Sequence, residues 1–162
     1  MKTRNRILRL IAVLVLALVP SPALGQTAPP DSPRARKIVA LVEKAAALVN
    51  ARGKAAFDEF RKKGSEWFDG ETYLFAYDGK GNVLLNPAFP KREGTNVSGQ
   101  TDGNGKKFHD LMLETARTKG AGWVDYMFPK PGQTAPSHKW AYVKRVSIDG
   151  APAVLGAGFY GD

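Results

Sequence analysis

The chain has 162 residues, 24 Lys plus Arg against 15 Asp plus Glu, a formal charge of +9 at pH 7, and no cysteine. This excludes a disulfide framework and a thiolate metal site, and the length suits one domain with its own core. The basic residues fall in short clusters such as Arg61/Lys62/Lys63, Lys91/Arg92 and Lys106/Lys107. Such clusters are solvated faces, not the long basic run with interleaved aromatics of a nucleic-acid groove.

Lys2, Arg4, Arg6 and Arg9 precede an uninterrupted apolar run, Leu10 to Val19, that Pro20 and Pro22 break. Ala23-Leu24-Gly25 supplies the small residues that a signal peptidase reads. Residues 1–25 are therefore expected to be a signal peptide, with Gln26 as the mature start and a periplasmic or secreted product. A retained membrane anchor is the rival reading, but the apolar run falls well short of the roughly 20 residues needed to span hydrocarbon. Loss of the leader leaves 20 basic residues against 15 acidic ones, or +5. That weak field favours anionic small molecules on approach.

Residues 26–33 form a polar, proline-rich spacer, expected to be disordered or extended. Asp31-Ser32-Pro33 supplies a cap and a proline preset for a first helical turn. Ile38, Leu41, Val42, Ala45, Leu48 and Val49 then recur at spacings of three and four. The stripe resumes at Ala56, Phe57 and Phe60, which predicts one long helix from about 33 to 62. Gly53 either bends it or admits another backbone. Strands are expected at 72–78 and 82–86 around the turn Asp78-Gly79-Lys80-Gly81, with Tyr73, Phe75 and Tyr77 on one face. A long loop follows from Pro87 to Gly105, then a helix at about 105–118. Strands at 122–128, 139–147 and 152–160 complete the chain, with 129–138 as a hairpin loop or flap. This order predicts an α+β fold: an antiparallel sheet of about five strands with helices packed on it.

Several landmarks occur in a recognisable order. They are Glu-Thr-Tyr-Leu-Phe-Ala-Tyr-Asp (71–78), Gly-Asn-Val-Leu-Leu-Asn-Pro (81–87), Asp-Gly-Asn-Gly-Lys-Lys-Phe (102–108), Gly-Trp-Val-Asp-Tyr (122–126), Lys-Trp-Ala-Tyr-Val-Lys-Arg-Val (139–146) and Gly-Ala-Gly-Phe-Tyr (156–160). Together they resemble the single Cache domain, the extracytoplasmic small-molecule sensing module of bacterial chemoreceptors and sensor kinases. The resemblance spans roughly residues 35 to 160. It implies a PAS-like sheet with the long N-terminal helix along one side, and a domain occupying residues 34–162. Family members usually sit between two transmembrane helices. Here the chain stops at Asp162, two residues after the last strand, so a free-standing exported version is expected.

The resemblance also implies a ligand on one face of the sheet beneath the long loops, commonly a short carboxylate. A carboxylate needs a cation or several donors, together with apolar walls. Lys139 matches a lysine at the start of the family's penultimate strand and is the candidate cation. Tyr126 and Tyr142 are candidate hydroxyl donors, and Trp123 and Tyr77 candidate walls. Asn86 stands where members often carry a histidine before the proline. Alternation along a strand puts Lys139 and Tyr142 on opposite faces unless a bulge intervenes. Filling the core is the plainer role for these aromatics.

His109, beside Asp110, is expected at the surface, and His138 in a loop. The two histidines lack metal-ligand spacing, and no cofactor is expected. Asp102-Gly103-Asn104-Gly105 suits a turn and helix entry better than a calcium loop, because the later acidic ligand is absent. No G-x-S-x-G setting surrounds a serine, so no catalytic machinery is expected. The expected partners are a small organic anion and a membrane receptor or sensor kinase, with no nucleic acid. The alternative is a protein-interaction module whose pocket is filled by its own side chains.

Overall fold

The computed structural model describes residues 28–161. The expected leader, 1–25, and the first two spacer residues lie outside the described residues. No helix among the described residues is long and apolar enough to cross a membrane.

Helix α1 (Pro33–Arg52) starts as its sequence dictates. The Ser32 hydroxyl accepts the Ala35 N–H at 3.1 Å, and Pro33 takes the first turn. Its buried stripe contains Ala35, Ile38, Leu41, Val42, Ala45, Ala46 and Val49. The expected single long helix is interrupted: Gly53–Ala56 form a 3-10 turn before the short α2 (Phe57–Phe60). The cause is the turn after the penultimate strand. A Cβ on Gly53 would lie 1.8 Å from Asp149 Oδ1, and Gly53 adopts φ +57°. The same carboxylate accepts the Lys54 N–H at 3.2 Å. Gly53 thus both breaks the helix and admits a neighbour.

The strands are β1 (Phe68–Asp69), β2 (Thr72–Asp78), β3 (Val83–Leu85), β4 (Ala121–Pro129), β5 (Pro136–Ile148) and β6 (Ala151–Tyr160). Helix α3 (Phe108–Lys119) precedes β4. β6 runs along one edge of β2, β3 lies on the other, and β5 and β4 follow β6 outward, all antiparallel. The two-residue β1, absent from the expected set, pairs with the start of β2. The expected flap at 129–138 is shorter, because β4 and β5 pair as far as Pro129 and Pro136.

Period-two alternation sorts the sheet into two cores. Leu74, Ala76, Leu155, Ala157 and Phe159 pack with α1. Tyr73, Phe75, Tyr77, Tyr126, Phe128, Ala141 and Val143 pack with Phe108 and Met112 of α3 and with Val97 of the 87–105 loop. That loop is tied down. It exchanges Gly94 N–H to Val83 O and Val83 N–H to Thr95 O, each at 2.9 Å. Asp102 accepts the N–H groups of Asn104, Lys106 and Met127, each at 2.9 Å, making the expected turn and helix entry.

Because Gly53 occupies a backbone region that is almost glycine-only and faces Asp149, Gly53→Ala is expected to destabilise the fold by about 1–3 kcal/mol. An unfolding free energy from urea titration within about 0.5 kcal/mol of the parent, a typical surface-substitution effect, would show that Asp149 simply moves aside.

Candidate ligand-binding site around Lys139

Strand register brings Lys139 between Tyr126 of β4 and Tyr160 of β6, so these three side chains share one face. Space for the lysine comes from Gly158, where a Cβ would lie 3.0 Å from Lys139 Cε and 2.4 Å from the Trp140 carbonyl oxygen. Glycine inside a strand often marks such an approach. Lys139 is 0% exposed. Its Nζ donates to the Tyr73 hydroxyl at 2.9 Å. The ammonium also lies 4.1 Å from the Tyr73 ring centroid, 4.8 Å from Tyr160, 5.6 Å from Phe128 and 5.9 Å from Phe75.

Among the described residues no carboxylate pairs with this ammonium. The charge it feels is that of Glu71, which is already engaged with Lys130 at 2.9 Å. Burial therefore dominates and pulls the Lys139 pKa from 10.5 down to about 7. Burial likewise raises Tyr73 well above its ordinary value and Tyr160 to about 12, so both remain neutral donors. The Tyr160 hydroxyl lies beside that of Tyr73 and donates to the Pro129 carbonyl at 2.6 Å.

Tyr126 and Tyr77 lie on the Lys139 face, as expected. Tyr126 stacks on Phe108 at 4.2 Å and 7°, and Tyr77 meets His109 edge-on at 5.2 Å. Trp123 and Tyr142 do not share this site. They pair across β4 and β5 and pack on the α1 side of the sheet. Lys139 sits inside a regular strand with no bulge, so the alternation rule decides against one pocket holding both sets. Asn86 is buried at the start of the loop, where its Oδ1 accepts the Phe89 N–H at 3.2 Å. Its own N–H is held by Glu93 Oε1 at 2.7 Å. It therefore shapes the loop. Glu93 also grips Arg61 through two bonds of 2.6 and 2.9 Å. Burial would raise the Glu93 pKa, but the Arg61 and Asn86 bonds outweigh it and hold the carboxyl below its usual range.

Two expectations about histidine are overturned. His109 is buried, 2% exposed, because the 87–105 loop folds over the start of α3. Burial, then the nearby Arg92 charge, pulls its pKa to about 3, so it stays neutral. Arg92 Nη2 donates to His109 Nε2 at 3.1 Å, leaving Nδ1 buried without a partner among the described residues. His138 belongs to β5, not a loop, and its Nε2 lies 3.2 Å from Asp125 Oδ2.

Sequence reasoning did not single out Tyr73, Phe75, Phe128 and Tyr160 as the lysine's surround, nor Phe89, which packs on two of those rings. Phe89 lies 6.0 Å from Tyr73 and 5.2 Å from Phe128. Gly158 inside a strand was the available signal for Lys139. An open groove of about 840 Å³ lies elsewhere, lined by Asp78, Leu113, Arg117 and Arg145 among others.

A Cache domain family model matches residues 56–162. A solved periplasmic sensor domain of a chemotaxis protein is 32% identical, with a TM-score of 0.67, covering 80% of this chain and 95% of that one. A second structure, of a Cache chemosensory domain that recognises carboxylic acids, is 27% identical with a TM-score of 0.67, covering 79% and 93%. The methyl-accepting chemotaxis protein McpP of Pseudomonas putida is 30% identical over 95 residues, which are 59% of this chain and 17% of McpP. The chain spans less than a fifth of the curated relatives it matches.

Lys139 binds its proton more weakly folded, near 7, than unfolded, near 10.5. Across that window the unfolded chain holds more protons, so stability rises with pH. The ligand-free protein should gain up to about 1.4 kcal/mol per pH unit between pH 7 and 10, and Lys139→Met should lose that gain. Urea titrations of both proteins at several pH values check this; identical slopes would mean the ammonium is not desolvated.

Proposed function

The chain belongs to the Cache domain family, and on that premise we propose that it is an exported sensory domain that binds a short organic carboxylate on Lys139 and reports it to a membrane receptor. Its leader is cleaved near Gly25-Gln26. The observation that carries the reading is the fully buried Lys139 ammonium, which no carboxylate of the described residues neutralises. An anionic ligand supplies the missing charge in a water-poor setting, where the pair is strong. Recognition of carboxylic acids by a 27%-identical Cache domain supports the ligand class.

Tyr73 and Tyr126 provide neutral hydroxyls, and Phe75, Phe128 and Tyr77 provide apolar walls. Phe89 sits half-buried, edge-on to the Tyr73 and Phe128 rings that face the lysine, so entry past these rings requires the loop that carries it to lift and reclose. Ligand shifts that equilibrium only through unequal affinity for the two arrangements. The role is binding and not turnover.

One observation favours a different reading. The rings pack closely around Lys139, as in an interaction module whose pocket holds its own side chains. A melting screen against short carboxylates separates the two. At 100 times the dissociation constant, a true ligand adds about 2.7 kcal/mol of stability, and Lys139→Met should abolish the shift. Because bound carboxylate keeps Lys139 protonated, affinity should be flat below pH 7 and fall about ten-fold per pH unit above it. No shift with any carboxylate would favour the interaction module. A shift that survives Lys139→Met would place the ligand elsewhere.

A further inference from the structure

The 87–105 loop carries a second cation to the same aromatic wall. Arg92 ends the 3-10 turn Pro90–Arg92, and its guanidinium lies 5.5 Å from the Phe128 centroid. Lys139 Nζ lies 5.6 Å from that centroid, so the two cationic groups are at most about 11 Å apart. Arg92 is half-buried. Its Nη2 is used by the neutral acceptors Gln100 Oε1, at 3.3 Å, and His109 Nε2, at 3.1 Å. Nη1 and Nε have no acceptor among the described residues, and no carboxylate there pairs with the guanidinium. Its neighbour Arg61, by contrast, is matched to Glu93 in a two-bonded fork.

Arg92 and Lys139 have different polar partners, Gln100 and His109 for the one and Tyr73 for the other. The Arg92 charge acts on Tyr77, Tyr126 and His109. The charge acting on Lys139 is that of Glu71. One carboxylate on Lys139 therefore leaves Arg92 unneutralised. A planar fork with open donors is the geometry that takes a carboxylate through two parallel bonds.

We propose that Arg92 is a second anion-reading residue of the Lys139 site, and that the ligand is a short dicarboxylate bridging the two cations. This rests on the carboxylate reading above and narrows it. That upper limit admits a dicarboxylate of three or four carbons, once about 3 Å is allowed for the charged hydrogen bond at each end. His109 becomes a positioning residue: its Nε2 holds Arg92 towards the site. Its Nδ1, left without a partner, is the kind of cost a packing phenylalanine would avoid.

Titration calorimetry of the purified protein with succinate, malonate and propionate tests the assignment, using the parent, Arg92→Gln and Arg92→Lys. The parent should bind a dicarboxylate about ten-fold or more tighter than propionate. Arg92→Gln should erase that preference while leaving propionate affinity within about two-fold, an effect well below one charged hydrogen bond. Arg92→Lys, which keeps the charge without the fork, should fall between. Melting midpoints of both variants confirm folding. If the parent binds propionate as tightly as succinate and malonate, the dicarboxylate assignment is overturned while the carboxylate site stands. If Arg92→Gln weakens all three ligands alike, Arg92 and Lys139 grip one carboxylate and the inference is also wrong. If none binds the parent, the carboxylate reading itself falls, and this one with it.

Discussion

A lysine ammonium that no carboxylate of the described residues pairs, enclosed on the buried face of a sheet, is costly to hold, and the aromatic half of this molecule is arranged around that cost. Even after relaxation, removing an ion from water costs several kcal/mol. One hydrogen bond to Tyr73 returns about 1.5–3 kcal/mol, and each desolvated ring contact adds up to about 2 kcal/mol. These terms oppose desolvation, which is the largest influence on the lysine's pKa and pulls it down to about 7. Tyr73, Tyr160, Phe128 and Phe75 are therefore not interchangeable core fillers. A core of aliphatic side chains would leave the charge with no compensation.

The division of labour between the faces follows from the same strands. On the α1 side, aliphatic residues and Trp67 make a conventional core. On the α3 side, rings, a buried histidine and the lysine meet a long loop. That loop is anchored by Val97, Ala88 and Phe89 and takes the rest of its shape from carboxylates. Glu93 receives Arg61 and Asn86, Asp102 caps three N–H groups, and Asp110 accepts the Gly99 N–H at 3.1 Å. Polar anchoring of this kind fixes the turn that carries Phe89 and Arg92.

The sequence made the α1 stripe, the central hairpin and three long strands legible, because each depends on local periodicity and turn chemistry. Alternation along the strand also separates Lys139 from Tyr142, and the regular β5 keeps them on opposite faces. What stayed hidden depends on contacts distant in the chain. His109 looks like a helix-surface residue beside Asp110 until the loop covers it. Arg92, next to Lys91, looks like part of a solvated pair, and only the 3-10 turn aims it at Phe128. Gly53 showed that something happens in the helix, but its neighbour lies at Asp149, far along the chain.

The placement of Lys139 in an unbroken strand has a structural consequence. Its chain neighbour Trp140 projects through to the opposite side, where it stacks on Phe159 at 5.6 Å. Phe159 in turn lies under the Arg34 guanidinium at 5.2 Å, in the first turn of α1. A single peptide unit thus joins the buried ammonium on one face to a ring stack that reaches the root of the long helix on the other, with no loop between them.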